Sequence, residues 1–250
     1  MSLLQYGLSG WALAAVLIWA LTSLVFVVRA RQIRHLSDIA FRPQDRWPSV
    51  SVIIPACNEA ANIEEALQSL LATDYPDIEF IVIDDRSTDE TGEIIDRLAD
   101  EDSRIRPIHL DALPDGWLGK VNALQRGYEA ATGEWLLLTD ADIEYTQDAL
   151  RRCLAYVLGE GADHLACIPQ FRTTGFLHEL VLLSYIMGIT TGLDTPAIED
   201  PETDDYIGVG AFNLVHRSML EPTDGLAPLR MELADDIGVG YTRLLEAFRQ

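Results

Sequence analysis

Between Leu8 and Val28 the chain is almost wholly apolar for 21 residues, with no polar stripe. As a helix this run would be ~30 Å long, about one hydrocarbon thickness. The apolar runs that follow are shorter and recur at intervals: Ser49 to Pro55, Glu79 to Ile83, Ile105 to Leu110 and Trp135 to Thr139. Each has the length and composition of a buried strand. Between them apolar positions return at helical spacing. Asn62 and Glu65 form a capping-box pattern ahead of Ile63, Ala66, Leu67 and Leu70; Ser87 and Glu90 form another ahead of Ile94, Ile95 and Leu98; a third helix is expected over 120–131. Strands alternating with helices of about ten residues imply an α/β fold, a mostly parallel Rossmann-like sheet with helices on both faces.

Charge divides the chain at the end of the first run. No charged residue precedes Arg29, and Arg29, Arg31 and Arg34 follow the run. A cleaved leader would carry its positive charge ahead of a shorter run. We therefore expect a transmembrane anchor over 1–28, a basic juxtamembrane linker over 29–47 and a catalytic domain over 48–250, cytoplasmic by the positive-inside tendency and held at the cell membrane. The alternative is a buried helix of a soluble domain.

Forty acidic residues against 18 basic give a formal net charge of -22, and Lys120 is the only lysine. Such a surface disfavours nucleic acid, so no nucleic-acid partner is expected, and it argues against bulk electrostatic attachment to anionic lipid. It suits a salty cytoplasm, where the Debye length falls to ~3 Å at 1 M and self-repulsion is screened. The melting temperature is accordingly expected to rise with added salt; a flat or falling response in a thermal scan would count against that habitat. Cys57, Cys153 and Cys167 make neither a disulfide framework nor a zinc pattern.

Ligands of parallel sheets bind beyond the carboxyl ends of the strands. There the chain places Ala56-Cys57-Asn58-Glu59 after strand one, Asp84-Asp85-Arg86-Ser87 after strand two and Asp140-Ala141-Asp142 after strand four. Paired carboxylates suit a hard divalent cation, Mg²⁺ or Mn²⁺, shared with a substrate's phosphates. There is no glycine between Gly10 and Gly92, so the first turn cannot be a G-x-G-x-x-G dinucleotide loop. Pro114 stands five before Gly119, so Gly119-Lys120 does not close a G-x-x-x-x-G-K phosphate loop either. Lys120, at a helix start where backbone N–H groups favour anions, is the candidate phosphate contact.

The segments VIIPACNE (52–59), VIDDRSTDET (82–91), GWLGKVNAL (116–124), LLLTDAD (136–142) and ELADDIGVG (232–240), in this order behind an apolar helix, resemble the family 2 glycosyltransferases of GT-A fold. The GWLGK element is most similar to the branch associated with hopanoid and carotenoid glycosylation. The resemblance implies that Pro55, Ala56 and Glu59 flank the nucleoside of a nucleotide-sugar donor, with Asp84, Asp85 and Ser87 near base and ribose and Lys120 on the donor. It further implies that Asp142, with Asp140 beside it, holds the metal on the diphosphate, and that Asp236 is the general base with Asp235 supporting it. Arg86 departs from the pattern, standing where the family often has Gly or Asn.

The implied function is inverting transfer from a nucleotide sugar, UDP-linked by expectation, to a lipid acceptor. Two rivals remain: a sugar-nucleotide pyrophosphorylase, which would want a glycine-rich basic loop that 49–62 lack, and a catalytically silent anchored binding protein. Gly208 to Arg217 resembles the family's acceptor-side glycine segment, with Arg217 as a candidate structural residue. The apolar stretch from Phe176 to Gly192 fits a membrane-interface helix and a core helix equally. The chain stops at Gln250 without the arginine and tryptophan motif that many relatives carry after the base, so a fragment is one reading.

Overall fold

A computed structural model describes residues 3–31, 35–39, 44, 46–192 and 208–232. The chain divides into two compact units, one of Met1–Asp38 with Gln170–Asp205 and one of Ile39–Pro169 with Tyr206–Gln250.

The second unit is built on a six-stranded sheet: β1 (Val50–Ala56), β2 (Ile78–Asp85), β3 (Ile105–Leu110), β4 (Trp135–Leu138), β5 (His164–Ala166) and β6 (Asn213–His216), in the order β3-β2-β1-β4-β6-β5. The first four strands are parallel, and β6 runs antiparallel to both β4 and β5. The fold is thus of the GT-A-like α/β type, with a mixed, mostly parallel sheet. The central strands are apolar on both faces because both are covered: Val52, Ile53, Phe80, Ile81, Val82, Ile83, Leu136 and Leu137 are all fully buried. Helix α4 (Gly119–Ala130) covers one face, its Val121 and Leu124 joining Ile53, Ile83 and Leu138 with Leu220, Leu226 and Leu229. Helices α2 (Ile63–Leu71) and α3 (Thr91–Glu101) pack against each other, α3 also against β2 and β3. On α2 the expected Ile63, Ala66, Leu67 and Leu70 face inward.

Both expected capping boxes are absent. The Asn62 side chain makes no cap bond; its Nδ2 donates to Glu59 Oε2 at 3.3 Å, and the Asn62 N–H that Glu65 would take is already bonded to the Glu59 carbonyl. Helix α3 begins four residues after Ser87, and Asp89 Oδ1 takes the Thr91 N–H instead. Strand β2 runs on through Asp84 and Asp85. Helix α5 (Ala149–Glu160), β5 and the antiparallel β6 have no counterpart among the expected elements.

A half-buried polar knot ties β1 and β2 to the turn before β4. Ser51 Oγ donates to Glu79 Oε1 and accepts the Gly133 N–H at 2.8 Å, while Glu79 Oε1 also takes the Thr132 N–H at 2.7 Å. Burial alone would push the Glu79 carboxyl up, but the bonds from Ser51 and Thr132 outweigh it and hold the group below the usual range. Arg217 is structural here: its Nε donates to the Gly133 carbonyl at 2.8 Å and its guanidinium lies over the Tyr128 ring. A Cβ on Gly133 would fall 2.5 Å from the Ser51 backbone nitrogen, an atom that cannot swing aside. Overpacking of about 3 kcal/mol, less about 0.5–1 kcal/mol from a stiffer unfolded chain, leaves Gly133→Ala destabilised by about 2 kcal/mol. That corresponds to a drop of about 4–8 °C in melting temperature; an unchanged calorimetric midpoint would refute the close approach.

In the first unit, α1 (Leu3–Ala30) contains Gly10–Ala30, 21 residues that include an 18-residue stretch of mean hydropathy 2.4 with no buried residue, long and apolar enough to cross a membrane. Helix α6 (Phe176–Gly192) lies against α1.

Candidate functional site

The parallel register brings Ala56 beside Asp84 and Ile53 beside Leu138, so the ends of β1, β2 and β4 open on one edge of the sheet. A cleft of about 310 Å³ lies there. Strand β1 and its loop supply Pro55, Ala56, Cys57 and Glu59, β2 supplies Asp85, α4 supplies Lys120, and the turn after β4 supplies Asp140, Ala141 and Asp142.

The acidic turn is held from below. Thr139 is 1% exposed; its N–H donates to the Ile53 carbonyl and its hydroxyl to the Ala211 carbonyl at 2.8 Å. The Tyr145 hydroxyl donates to Thr139 Oγ1 at 2.7 Å, and the Asp140 N–H reaches the Gly210 carbonyl at 3.1 Å. Burial raises the Tyr145 phenol far above its ordinary range, so it serves as a neutral donor. Ala141 is buried while Asp142 is exposed, which leaves the two carboxylates at the rim of the cleft. Lys120 Nζ lies 2.8 Å from Asp140 Oδ1.

Two loops meet opposite this turn, stitched side chain to backbone. The Asn58 N–H donates to Ser87 Oγ at 3.0 Å, Asn58 Oδ1 takes the Thr88 N–H at 2.8 Å, and the Glu59 N–H donates to Thr91 Oγ1 at 2.8 Å. Asn58 and Arg86 both hold left-handed backbone, φ 57° and 59°. At position 86, where Gly or Asn would be at ease, Arg accepts strain of about 1 kcal/mol or more. A two-pronged pair with its neighbour offsets that strain: Arg86 Nε and Nη2 lie 2.8 and 2.9 Å from the Asp85 carboxylate oxygens, and Asp85 is itself 4% exposed. A Cβ on Gly119 would meet Asp85 Oδ2 at 2.7 Å, so glycine at the start of α4 lets that helix reach the pair. Cys57 lines the cleft as a thiol rather than a thiolate: burial, then the Asp85 charge, pushes its ionisation up.

Asp84 is placed elsewhere. Successive strand residues point to opposite faces, and Asp84 turns from the cleft to take the Ser87 N–H at 3.2 Å and to face His109 Nδ1 at 3.0 Å. Ser87 is likewise committed to the Asn58 N–H. His109 Nε2 lies 2.9 Å from Asp96, and its bonds to Asp84 and then Asp96 raise its pKa above the ordinary 6.5. A raised folded value means that the imidazolium's contribution is fully present below about pH 6.5 and is lost as pH rises through the folded value. The urea midpoint is therefore expected to fall from pH 6 to pH 8, and His109→Gln to flatten that fall; an equal slope in both proteins would remove His109 from the linkage.

Of the candidate site residues, the cleft gathers Pro55, Ala56, Glu59, Asp85, Lys120, Asp140 and Asp142, while Asp84 lies on the far side of the end of β2 and Ser87 in the loop that follows it. Asp235 and Asp236 lie outside the described residues. The chain leading to them is anchored, since the Leu118 N–H ahead of α4 donates to the Arg230 carbonyl at 2.8 Å. Sequence reasoning missed Thr139 and Tyr145, whose signal, a hydroxyl beneath an acidic turn, shows only once β6 is paired. Among the described residues no three His, Cys, Asp or Glu side chains converge as a metal cage. Two rim carboxylates fit a cation that completes its shell with ligand oxygens, as Mg²⁺ and Mn²⁺ do on phosphates.

Residues 51–221 match the family model described as Glycosyl transferase family 2. Among curated proteins, Glycosyltransferase AglD of Haloferax volcanii is 44% identical over 117 residues, covering 41% of this chain and 18% of that protein. The GalNAc(5)-diNAcBac-PP-undecaprenol beta-1,3-glucosyltransferase of Campylobacter jejuni is 33% identical over 118 residues, covering 47% and 37%. The chain spans less than half the length of either. Among solved structures, the mannosyltransferase PcManGT from Pyrobaculum calidifontis in complex with GDP-Man and Mn²⁺ superposes with a TM-score of 0.59 at 22% identity, over 92% of this chain and 60% of that one. TarS 1-349 from S. aureus gives 0.56 at 20% identity, over 78% and 54%.

Proposed function

Because the chain belongs to the glycosyl transferase family 2, we propose that it is a membrane-anchored, metal-dependent, inverting glycosyltransferase that moves a sugar from a nucleotide-sugar donor to a lipid acceptor. Residues 1–28 form the anchor, 29–47 the linker along the membrane surface and 48–250 the catalytic domain, on the cytoplasmic side. The observation that carries the reading is the convergence of Asp140, Asp142, Asp85 and Lys120 on one cleft at the carboxyl ends of β2 and β4 and the start of α4.

The donor's nucleoside lies along Pro55, Ala56 and Glu59, with Asp85 at base or ribose. Asp140 and Asp142 hold a divalent cation, which when bound neutralises charge on the diphosphate. Lys120 and the N–H groups opening α4 face the same phosphates and the charge that grows on the leaving oxygen. An acceptor hydroxyl oxygen attacks the anomeric carbon as the bond to the diphosphate breaks, and Asp236 takes the hydroxyl proton from the side opposite the leaving group. If 235 and 236 are helical neighbours, they diverge by about 100° and only one faces the acceptor, leaving Asp235 as support. From Arg230, held at the start of α4, six residues reach at most ~20 Å, which keeps Asp236 within range of the cleft.

A lipid acceptor is supported by the apolar α1, by the GWLGK resemblance to the hopanoid and carotenoid branch, and by the undecaprenol in the name of the Campylobacter relative. A UDP donor follows from the family resemblance, while GDP-Man in the Pyrobaculum neighbour keeps a guanine donor in view. A screen of nucleotide sugars with Mg²⁺ or Mn²⁺ and extracted membrane lipids tests the reading. Metal-dependent donor consumption with a labelled lipid product is the expected result. Donor binding without turnover under all conditions would instead favour a silent binding protein.

A further inference from the structure

We propose that α6 is a second membrane element, embedded in one leaflet of the bilayer beside α1 rather than covered by protein. It rests on the anchor reading only in needing a bilayer at α1. Phe176, Leu177, Val181, Leu183 and Tyr185 are all more than half exposed, at 72, 77, 68, 52 and 61%. At 100° per residue they fan over about 200° of the helix. A helix docked on a protein needs an apolar stripe of about half that width, so a single partner or a second copy of the chain would leave much of this surface in water. Acyl chains cover it whole.

Among the described polar side chains of α6, His178, Glu179 and Ser184 are each bonded close to their own helix, and Tyr185 carries a phenol suited to the headgroup level. From Phe176 to Gly192 the only charged or imidazole side chains are His178 and Glu179, both in the first turn. Each is used at the helix start: Thr173 Oγ1 donates to Glu179 Oε1 at 3.2 Å, and the Thr174 N–H to His178 Nδ1 at 3.4 Å. Further in, the Ser184 hydroxyl donates to the Leu180 carbonyl at 2.8 Å, as Thr22 of α1 does to the Ile18 carbonyl at 3.0 Å. Hydroxyls that close on their own helix leave nothing unsatisfied in lipid.

Length and connectivity set the depth. Seventeen residues make about 25 Å of helix, short of a ~30 Å core. The chain on either side belongs to one sheet, since β5 before α6 pairs with β6 after it. A full crossing would need a return crossing, and residues 194–205 carry six carboxylates in twelve positions. Charges of that density do not enter hydrocarbon. Helix α6 therefore enters and leaves by the same face.

The test uses the full chain in phosphatidylcholine and phosphatidylglycerol vesicles, with an NBD fluorophore on a cysteine at Val181→Cys or, separately, Leu17→Cys of α1. Both variants carry Cys57→Ser, and Cys57→Ser alone serves as the labelling blank. At Val181 we expect blue-shifted emission, quenching of twofold or more by lipids brominated near the headgroup, weaker quenching by bromine near the chain ends, and little effect of aqueous iodide. The Leu17 probe should show the reverse order of the two brominated lipids. Quenching of Val181 by iodide, shielding from both reagents as at a protein contact, or strongest quenching from the chain ends would each overturn the proposal. A Leu17 probe deep in lipid with Val181 in water sinks the α6 proposal alone, whereas both probes in water sink the anchor reading as well.

Discussion

Asp236→Asn is expected to lower turnover by ~10²–10⁴-fold, the usual contribution of a positioned general base, while leaving donor affinity within about twofold. The asymmetry follows from the division of labour in the cleft. On the proposed reading the donor is held by residues of β1, β2, the acidic turn and Lys120, which line the cleft and all lie upstream of residue 236. An amide of the same shape cannot take the acceptor proton, so only the step that breaks the glycosyl bond suffers. Single-turnover transfer and calorimetric titration of the unreacted nucleotide diphosphate check the two halves separately. Loss of binding in step with turnover would move Asp236 into the donor site; unaltered turnover would remove it from the chemistry. Asp235→Asn is expected to have the smaller effect.

Asp142→Ala should strike the other half. Neutralising a diphosphate's charge is worth several kcal/mol in the transition state, so kcat/KM is expected to fall by ~10²-fold or more. The residual activity should no longer respond to Mn²⁺ after chelation. Because Asp142 is exposed, thermal stability should stay within about 0.5 kcal/mol of the parent's. A variant that regains activity with metal as steeply as the parent does would assign the cation elsewhere.

The sheet was legible where the physics is one-dimensional. Four parallel strands and three covering helices show as apolar runs and helical periodicity because both sheet faces are buried, and the acidic and polar strand ends follow from that order. The elements that escaped depend on pairing. Strand β6 is four residues long and its burial comes from lying between β4 and β5; nothing in NLVH alone marks it. The caps failed for a related reason. Asn62 and Ser87 have the right spacing, but Asn62 turns its amide back on Glu59 and Ser87 Oγ takes the Asn58 N–H across the loops, and spacing along the chain is blind to such contacts. Asp84 and Asp85 read as a pair, yet the pleat of β2, extended to residue 85, sends them to opposite sides: one stays in the cleft and the other serves His109. Arg86 marks the converse case. Its departure from Gly or Asn is visible in sequence, as is the adjacent Asp85, while φ 59° and the two-pronged pairing that accompanies it are visible only in space.

The contact between Lys120 and Asp140 makes the cleft its own placeholder. With the ammonium 2.8 Å away, that carboxylate's charge is matched before any ligand arrives. On the proposed reading, a cation arriving alone must compete with the lysine for Asp140. A cation arriving with a diphosphate offers the lysine a new anion in the same step. On a surface of net charge -22, where loose cations gather everywhere, the proposed exchange reserves the acidic turn for metal that comes with the donor.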